Sequence, residues 1–284
     1  MKHIAAISLA TLMAVALAGT AFAAASVNLG TAKSFAVLAG TTITNTGATT
    51  ITGDVGVHPG KTATGFTTVT LHGAKHLGDA VALSAKNSLV TAYNDAAAAT
   101  PVTSVPTELG GTTLKAGVYA SDTLGLTGTV TLDGAGVYIF QAGSTLITAP
   151  DSTVALINGA SACSVYWQVG SSATLDTSTS FKGTIMALTS IALKTGATLQ
   201  GRALARNGAV TMDHNTINDS ACAAPSSTGG TKAAATAPPT DIVASAPAAI
   251  TDRFSATFVV LLIIAAMTLV GTFRFAISRS RKPD

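Results

Sequence analysis

Charged side chains are scarce in this 284-residue chain, because Lys, Arg, Asp and Glu together make up only 10% of it. The net charge of +3 depends on a basic C-terminus, so no basic surface remains to follow a phosphate backbone. The composition therefore argues against nucleic acid as a partner. Thr, Ser, Asn and Gly must supply the hydrated surface, and we expect an exposed face that is neutral and rich in hydroxyl groups.

Acidic residues are too dispersed for paired-carboxylate chemistry. Glu108 is the only glutamate, and the aspartates before the C-terminal third are scattered singly, whereas polysaccharide cleavage needs carboxylates grouped in one groove. His72 and His76 have the spacing of a helical metal pair, but Gly73 and the surrounding Thr-rich pattern argue against a helix there. We predict no enzyme, no cofactor and no metal site.

Only two cysteines are present, Cys163 and Cys222. Both lie in a region predicted to be exported, where a disulfide bond can persist. A bond between them would pin the end of the domain back onto the preceding structure. The sequence leaves this alternative and two free thiols open.

Both ends of the chain carry targeting patterns. Residues 1–23 combine Lys2, an apolar run and the sequence Ala21-Phe22-Ala23, which predicts a signal peptide. Phe254 to Phe273 carries no charge, so residues 253–274 are predicted to form a transmembrane helix and the basic residues 275–284 a cytoplasmic tail. Residues 224–252 are an Ala, Pro, Thr and Ser linker. Processing by a sortase-like enzyme is an alternative anchor, although the usual Leu-Pro-x-Thr-Gly signal is absent.

A repeat of eighteen residues runs through the end of the predicted extracellular domain, residues 24–223. Successive shifts by this period align Ser180 with Thr198 and Thr216, and they also align Trp167, Ile185 and Ala203. A fixed period rich in Thr, Gly and β-branched residues indicates a β-solenoid in which one repeat is one coil. We expect Phe181, Leu199 and Ile217 to stack inward, with the hydroxyl residue before each forming an outward ladder.

Further strands are predicted earlier in the domain. Gly117-Val118-Tyr119 and Gly136-Val137-Tyr138 are related strand starts nineteen residues apart. We expect Trp167 and Phe140 to fill the wide part of the core, with Ala203 and Ala205 at the narrow end. A carbohydrate-stacking role for Trp167 is the alternative.

One helix is predicted in the domain, over about residues 78–100. Asp79 is its expected N-cap, and Pro101 its terminator. The stripe expected to pack against the solenoid comprises Val81, Ala85, Leu89, Ala92 and Tyr93, with Lys86, Asn87 and Asn94 facing away.

The chain resembles the microbial ice-binding protein family over about Ser26 to Cys222. The resemblance rests on Phe35-Ala36-Val37-Leu38-Ala39-Gly40, Thr44-Asn45-Thr46-Gly47, Ile51-Thr52-Gly53-Asp54-Val55-Gly56-Val57, Ala92-Tyr93-Asn94-Asp95-Ala96, Ile139-Phe140-Gln141, Leu156-Ile157-Asn158-Gly159-Ala160, Trp167-Gln168-Val169-Gly170-Ser171-Ser172-Ala173-Thr174 and Gly201-Arg202-Ala203-Leu204-Ala205-Arg206-Asn207-Gly208-Ala209-Val210.

The resemblance implies a right-handed β-solenoid, discontinuous because its N-terminal segment stacks out of chain order, with one long helix alongside. It also implies ice binding through a flat face with a loose Thr-(Ala or Gly)-x-(Thr or Asn) pattern. Asp213-His214-Asn215-Thr216 departs from this pattern. We expect the protein to be a monomer. The residues expected on the ice-binding face are Thr46, Thr49, Thr127, Thr129, Thr148, Thr177, Thr179, Ser180, Thr195, Thr198 and Thr216.

Ice presents a fixed array of uncharged oxygens, so a rigid surface with a matching repeat is suited to bind it. Thr has a restricted χ1, and its methyl and hydroxyl groups are therefore held in register with little entropy to lose. Outward Thr columns also occur on solenoids that bind nothing, since Thr is a good strand residue. The alternative function is a surface adhesin or structural exoprotein that binds glycan or protein. The predicted membrane tether favours ice adhesion or local protection of the cell envelope.

Overall fold

A computed structural model of the protein describes residues 25–222. The predicted signal peptide, linker, transmembrane helix and cytoplasmic tail lie outside these residues. Within the described range, no helix is long and apolar enough to cross a membrane.

The described chain is built mainly from short strands. One α-helix, α1, spans Ala80–Ala97, and short 3-10 helices span Gly30–Ser34, Phe66–Thr68, Ala162–Ser164 and Ser220–Cys222. The strands are β1 Phe35–Ala39, β2 Thr42–Thr46, β3 Thr49–Thr52, β4 Asp54–Val57, β5 Thr62–Thr64, β6 Val69–His72, β7 Lys75–Leu77, β8 Val102–Ser104, β9 Thr113–Leu114, β10 Gly117–Ser121, β11 Leu124–Leu126, β12 Thr129–Asp133, β13 Tyr138–Ala142, β14 Leu146–Thr148, β15 Thr153–Ile157, β16 Val165–Val169, β17 Ala173–Leu175, β18 Ser180–Ala187, β19 Ile191–Leu193, β20 Thr198–Ala205, β21 Val210–Asp213 and β22 Thr216–Asn218.

The strands form three faces of parallel strands, as a β-solenoid requires. The first face consists of β8, β10, β13, β16, the second halves of β18 and β20, β1, β4 and β7. The second face consists of β11, β14, β17, β19, β21, β2 and β5. The third face consists of β9, β12, β15, the first halves of β18 and β20, β22, β3 and β6.

Two glycines allow β18 and β20 to continue from the third face onto the first without a loop. Gly183 and Gly201 have φ angles of +110° and +147°, a region that L side chains rarely adopt. A Cβ atom on Gly201 would also lie 2.0 Å from the carbonyl oxygen of Gly183. Glycine is therefore required where the two longest strands turn this corner.

The N-terminal coil stacks on the C-terminal coil, so the solenoid is discontinuous, as the resemblance implied. Strand β1 pairs with β20, which places Val37 beside Ala203. Strands β2 and β3 pair in the same way with β21 and β22. The right-handed sense of winding stays a prediction.

The eighteen-residue period holds only near the C-terminal end. Ser180, Thr198 and Thr216 are aligned there as predicted. Phe140, however, aligns with Trp167, and Tyr119 aligns with Phe140, so both of these coils are longer than the repeat. The predicted nineteen-residue alignment of the strands at Gly117 and Gly136 is therefore wrong, because corner segments of different length separate the strands.

Aromatic side chains fill the wide coils, and small ones fill the narrow coils. The rings of Phe140 and Trp167 stack with centroids 4.0 Å apart, whereas Ala203 and Ala205 occupy the interior further along the stack. Trp167 is 1% exposed, and its indole nitrogen donates to the carbonyl of Lys182 at 3.0 Å. This burial confirms the core prediction and excludes a carbohydrate-stacking role.

Helix α1 is shorter than predicted, and its packing stripe differs. The N-cap is confirmed, because the Asp79 carboxylate accepts a hydrogen bond from the Ala82 amide at 2.8 Å. Val81 was expected in the stripe but is 49% exposed, whereas Lys86 was expected to face away but is 6% exposed. The buried stripe is mostly alanine, at Ala82, Ala85, Lys86, Leu89, Ala92, Tyr93 and Ala96. Four of the five predicted stripe residues, Ala85, Leu89, Ala92 and Tyr93, are therefore confirmed, and Val81 is wrong.

The helix covers the outer side of the first face. Its stripe packs on outward side chains of successive coils, which are Leu38, Val118, Ile139, Tyr166, Met186 and Leu204. Gln141 of β13 donates to the carbonyls of Ala96 and Ala99 at 2.8 and 3.1 Å and so satisfies the helix C-terminus. Only the second and third faces remain uncovered by the helix.

Lys86 joins the helix to the solenoid, and we expect it to make the free energy of unfolding of the domain depend on pH. Its ammonium group donates to the carbonyl oxygens of Ala205 and Arg206, while burial, followed by the charge of Arg206, lowers the pKa of Lys86 to about 8. Between pH 8 and the unfolded-state value of 10.5, the folded protein has lost a proton that the unfolded chain still holds. This group's contribution to the free energy of unfolding must therefore increase with pH across that window.

We expect the stability difference between wild type and Lys86→Met to move in favour of wild type from pH 7.5 to pH 9.5. Urea unfolding, followed by the fluorescence of Trp167, measures this difference at each pH. Because Thr91 is exposed on the same helix, Thr91→Ala serves as the matched control. A pH-independent difference for Lys86→Met would contradict the prediction.

Candidate functional site

The second face carries an uncharged column along its centre. Outward residues of successive strands are in direct register over seven positions, in the order Gly125, Ile147, Thr174, Ala192, Thr211, Thr44 and Thr64. Each is exposed or half-buried. With strands about 4.8 Å apart, the column is about 29 Å long.

A second uncharged column lies along the border with the first face. It occupies the position two residues before each member of the centre column, at Thr123, Thr145, Ser172, Ser190, Ala209, Thr42 and Thr62. Backbone hydrogen bonds connect these positions from coil to coil, for example from the Leu124 amide to the Thr145 carbonyl at 2.8 Å. The second face therefore presents two adjacent columns of small, neutral and mostly hydroxyl-bearing residues.

The predicted hydroxyl ladder lies on the third face. Ser180, Thr198 and Thr216 are in register, and the residues that follow them, Phe181, Leu199 and Ile217, are buried as predicted. The column extends in both directions and reads Thr129, Thr153, Ser180, Thr198, Thr216, Thr50 and Thr70. Sequence reasoning missed Thr153, Thr50 and Thr70, because their coils have other lengths.

The column beside this ladder is less uniform. It contains Thr131, Ala155, Lys182, Gln200, Asn218, Thr52 and His72. Asp133, on the same face, forms an ion pair with Lys115 at 2.7 Å. The third face thus combines a hydroxyl ladder with long and charged side chains.

Three of the predicted surface residues are buried, and that part of the prediction is wrong. Thr49, Thr148 and Thr179 are each no more than 2% exposed. The hydroxyl oxygens of Thr148 and Thr179 lie 2.8 Å apart inside the corner between the second and third faces. The hydroxyl oxygen of Thr49 accepts a hydrogen bond from the Asn215 amide at 3.1 Å. These side chains fasten the corner from within.

The error at Thr49 has a specific cause. Thr46-Gly47-Ala48-Thr49 matches Thr195-Gly196-Ala197-Thr198 letter by letter, but Thr50 rather than Thr49 shares a column with Thr198, through Thr216. The corner that contains Thr49 holds one residue more than the corner at Asn215, on which it stacks. Thr49 is the additional residue, and its side chain turns inward.

The remaining predicted threonines, Thr46, Thr127, Thr177 and Thr195, are exposed at the edge between the second and third faces. Two of them donate to carboxylates. The Thr127 hydroxyl donates to Glu108 at 3.0 Å, and that of Thr195 donates to Asp213. These two hydroxyl groups are thus already engaged within the protein.

Several charges along this edge are paired locally. Lys194 contacts Asp176 at 3.1 Å, and Nδ1 of His214 lies 2.6 Å from Asp213. Hydrogen bonds from Thr195 and then from His214 hold the pKa of Asp213 below its usual value. Within residues 25–222, no cluster of three or more His, Cys, Asp or Glu side chains could hold a metal ion.

Comparison with known proteins agrees with this architecture. The family model described as "Ice-binding-like" matches residues 37–218. An ice-binding protein of Nostoc sp. (strain HG1) is 48% identical over 198 residues, which cover 67% of this chain and 73% of that protein.

Two solved structures are also similar. The crystal structure of an ice-binding protein from an Antarctic biological consortium has a TM-score of 0.67 and 49% identity, covering 68% of this chain and 91% of that one. That of the Antarctic ascomycete Antarctomyces psychrotrophicus has a TM-score of 0.66 and 41% identity, covering 68% and 98%. The chain therefore belongs to the ice-binding-like family.

The hydrogen bond at the edge predicts a measurable titration change. Removing the Thr195 hydroxyl in Thr195→Ala deletes the strongest interaction that favours the ionised form of Asp213, so the pKa of this carboxyl group should rise toward 3.8. Carboxyl carbon chemical shifts followed by NMR between pH 2 and pH 6 measure it. Thr211→Ala, on the neighbouring centre column, should leave the titration unchanged. An unaltered Asp213 titration in Thr195→Ala would refute the assignment.

Proposed function

We propose that this protein binds ice and inhibits ice growth or recrystallisation through the second face. The observation that carries the proposal is the pair of adjacent, uncharged columns, held in register from coil to coil. Family membership and the ice-binding proteins among its relatives support the activity. The geometry of the faces supports the choice of surface.

Neutrality favours the second face over the third. Ice carries no net charge with which to replace the hydration of an ion, so a charged group on the contact surface would lose water without gaining a partner. Lys182 and His72 stand beside the hydroxyl ladder of the third face, and Lys182 also has rotamer freedom to lose on contact. The two columns of the second face contain no charged residue. Charges do stand beside the centre column, on its side toward the third face, but Lys194 is paired there with Asp176 and Asp213 with His214.

The mixture of small apolar and hydroxyl groups suits a surface that orders water. Ile147, which is 52% exposed, and Ala192 alternate with Thr174 and Thr211 along the centre column. Methyl groups organise the adjacent water, and hydroxyl groups can anchor it by hydrogen bonds. Because every contact is weak, binding depends on many of them engaging at once on a rigid face.

We expect bulky substitutions on the second face to abolish most of the ice activity. Thr211 and Thr44 are neighbours in the centre column, and Thr211→Tyr with Thr44→Tyr would place two rings where a flat surface is required. Recrystallisation inhibition by purified residues 25–228 measures the effect. The matched variants are Thr198→Tyr with Thr216→Tyr on the third face and Thr91→Tyr on the exposed side of the helix.

Circular dichroism and thermal unfolding establish that each variant is folded. If only the third-face variant, Thr198→Tyr with Thr216→Tyr, lost activity, the ice-binding surface would be assigned to the third face. If the folded wild-type protein showed no inhibition at micromolar concentration, ice binding would be overturned, and an adhesin that binds glycan or protein would become the leading function.

We also propose that residues 253–274 tether the protein to the cell membrane with the solenoid outside. The uncharged run and the basic tail support this topology. The described chain ends at Cys222, beside the corner between the third and first faces, and this corner lies opposite the second face.

For the full chain expressed in a bacterium, we expect recovery in the membrane fraction and digestion of the solenoid by protease added to intact cells. A chain ending at residue 252 should instead be released to the soluble exported fraction. Release of the full chain without detergent would contradict a membrane span, and recovery with cell-wall fragments would favour covalent attachment.

A further inference from the structure

The last strand of the domain lies inside the stack rather than at its end. Strand β22 is hydrogen-bonded to β20 on one side and to β3 on the other. The coil that contains it therefore supports the N-terminal coils above it. If β22 were drawn out, Ile217 would leave the core, and β3 would lose one of its two neighbouring strands.

The chain leaves this coil at a corner with three independent attachments. Cys222 forms a disulfide bond with Cys163, 59 residues earlier, immediately before β16. The Asp219 amide donates to the carbonyl of Thr52, the last residue of β3, at 3.2 Å. The Asp219 carboxylate faces the Arg202 guanidinium at 3.6 Å, and both side chains are at least nine-tenths buried.

Arg202 extends this set of contacts to the N-terminus. Its Nε donates to the carbonyl of Lys33 at 2.9 Å, in the 3-10 helix that precedes β1. The residues around Asp219 thus connect the C-terminal segment, the N-terminal segment and the middle of the stack. Such a buried ion pair is a weak source of net stability but strongly disfavours separation of its partners.

We propose that this corner is an exit clamp, which passes force on the C-terminus to β16 and so protects the internal coil. This inference rests on the proposed tether, because only an anchored ice-binding domain would be pulled from its C-terminus. The covalent path from Cys222 to Cys163 bypasses residues 164–221, which contain β16 through β22. Force on the tether then reaches a coil bonded on both sides, at Phe140 and Ile185, instead of peeling a short terminal strand.

Pulling the domain with optical tweezers tests the clamp directly, and it requires neither ice nor membrane. The chain to Thr228 forms one compact unit, and the chain of a solved relative is 98% covered by this region, so residues 25–228 with a handle at each end are the fragment to pull. We expect Cys163→Ser with Cys222→Ser to show an early low-force rupture, from peeling of the last coils, that the bridged protein lacks. Reduction of folded wild-type protein should reproduce it.

Two controls separate the clamp from a general stabilising effect. In the first control, the C-terminal handle is moved to an azide-bearing residue that replaces Lys115, which lies outside the bridged segment. In this geometry, the bridged protein and the variant with both cysteines replaced by serine should show their first rupture at the same force. The bridged protein should also release about 20 nm less chain on complete unfolding, because residues 164–221 stay closed. Equal first rupture forces in the C-terminal geometry would overturn the proposal, whereas failure of the ice assay alone would leave this result standing.

Discussion

The register between the N-terminal and C-terminal coils is the constraint on which the rest of the structure depends. Val37 meets Ala203 inside, while Thr44 meets Thr211 and Thr50 meets Thr216 outside. Because side chains alternate between the two sides of a strand, a slip by one residue would turn inward residues outward. The columns on both uncovered faces would then be interrupted between their fifth and sixth positions. The seven-position columns exist only because this one junction between distant chain segments is held in phase.

The interior explains how unequal coils still produce regular outer faces. The coil that leads from Phe140 to Trp167 is longer than the two that lead from Trp167 through Ile185 to Ala203. Side-chain volume follows the enclosed space, as close packing demands. The extra residues of the long coils lie mostly in the corners, so the strands keep their spacing. Size differences are therefore absorbed where they do not disturb the faces.

Sequence reasoning predicted the parts of this fold that repeat with a constant period. The eighteen-residue spacing placed Trp167, Ile185 and Ala203 in one column, and the resemblance supplied the discontinuity. The constant spacing could not predict the register across corners that are longer or shorter than those of the eighteen-residue coils. Thr50 and Thr153 were therefore missed, and the buried Thr49 was taken for a surface residue. Lys86 was misplaced for a related reason, because a lysine buried by bonds to Ala205 and Arg206 depends on contacts more than one hundred residues away.

The scarcity of charge fits this division of roles among the faces. Several of the acidic and basic side chains that border the two open faces are held in local pairs, such as Asp176 with Lys194 and Asp133 with Lys115, and the ion pair of Arg202 and Asp219 is used at the exit corner. The two columns of the second face are thereby left neutral. The helix covers the first face, long and charged side chains interrupt the third, and Asp176, Lys194 and Asp213 border the two neutral columns of the second face. Because the solenoid pairs these charges within itself, the two neutral columns of the second face are the surface that we propose is free to meet an uncharged crystal.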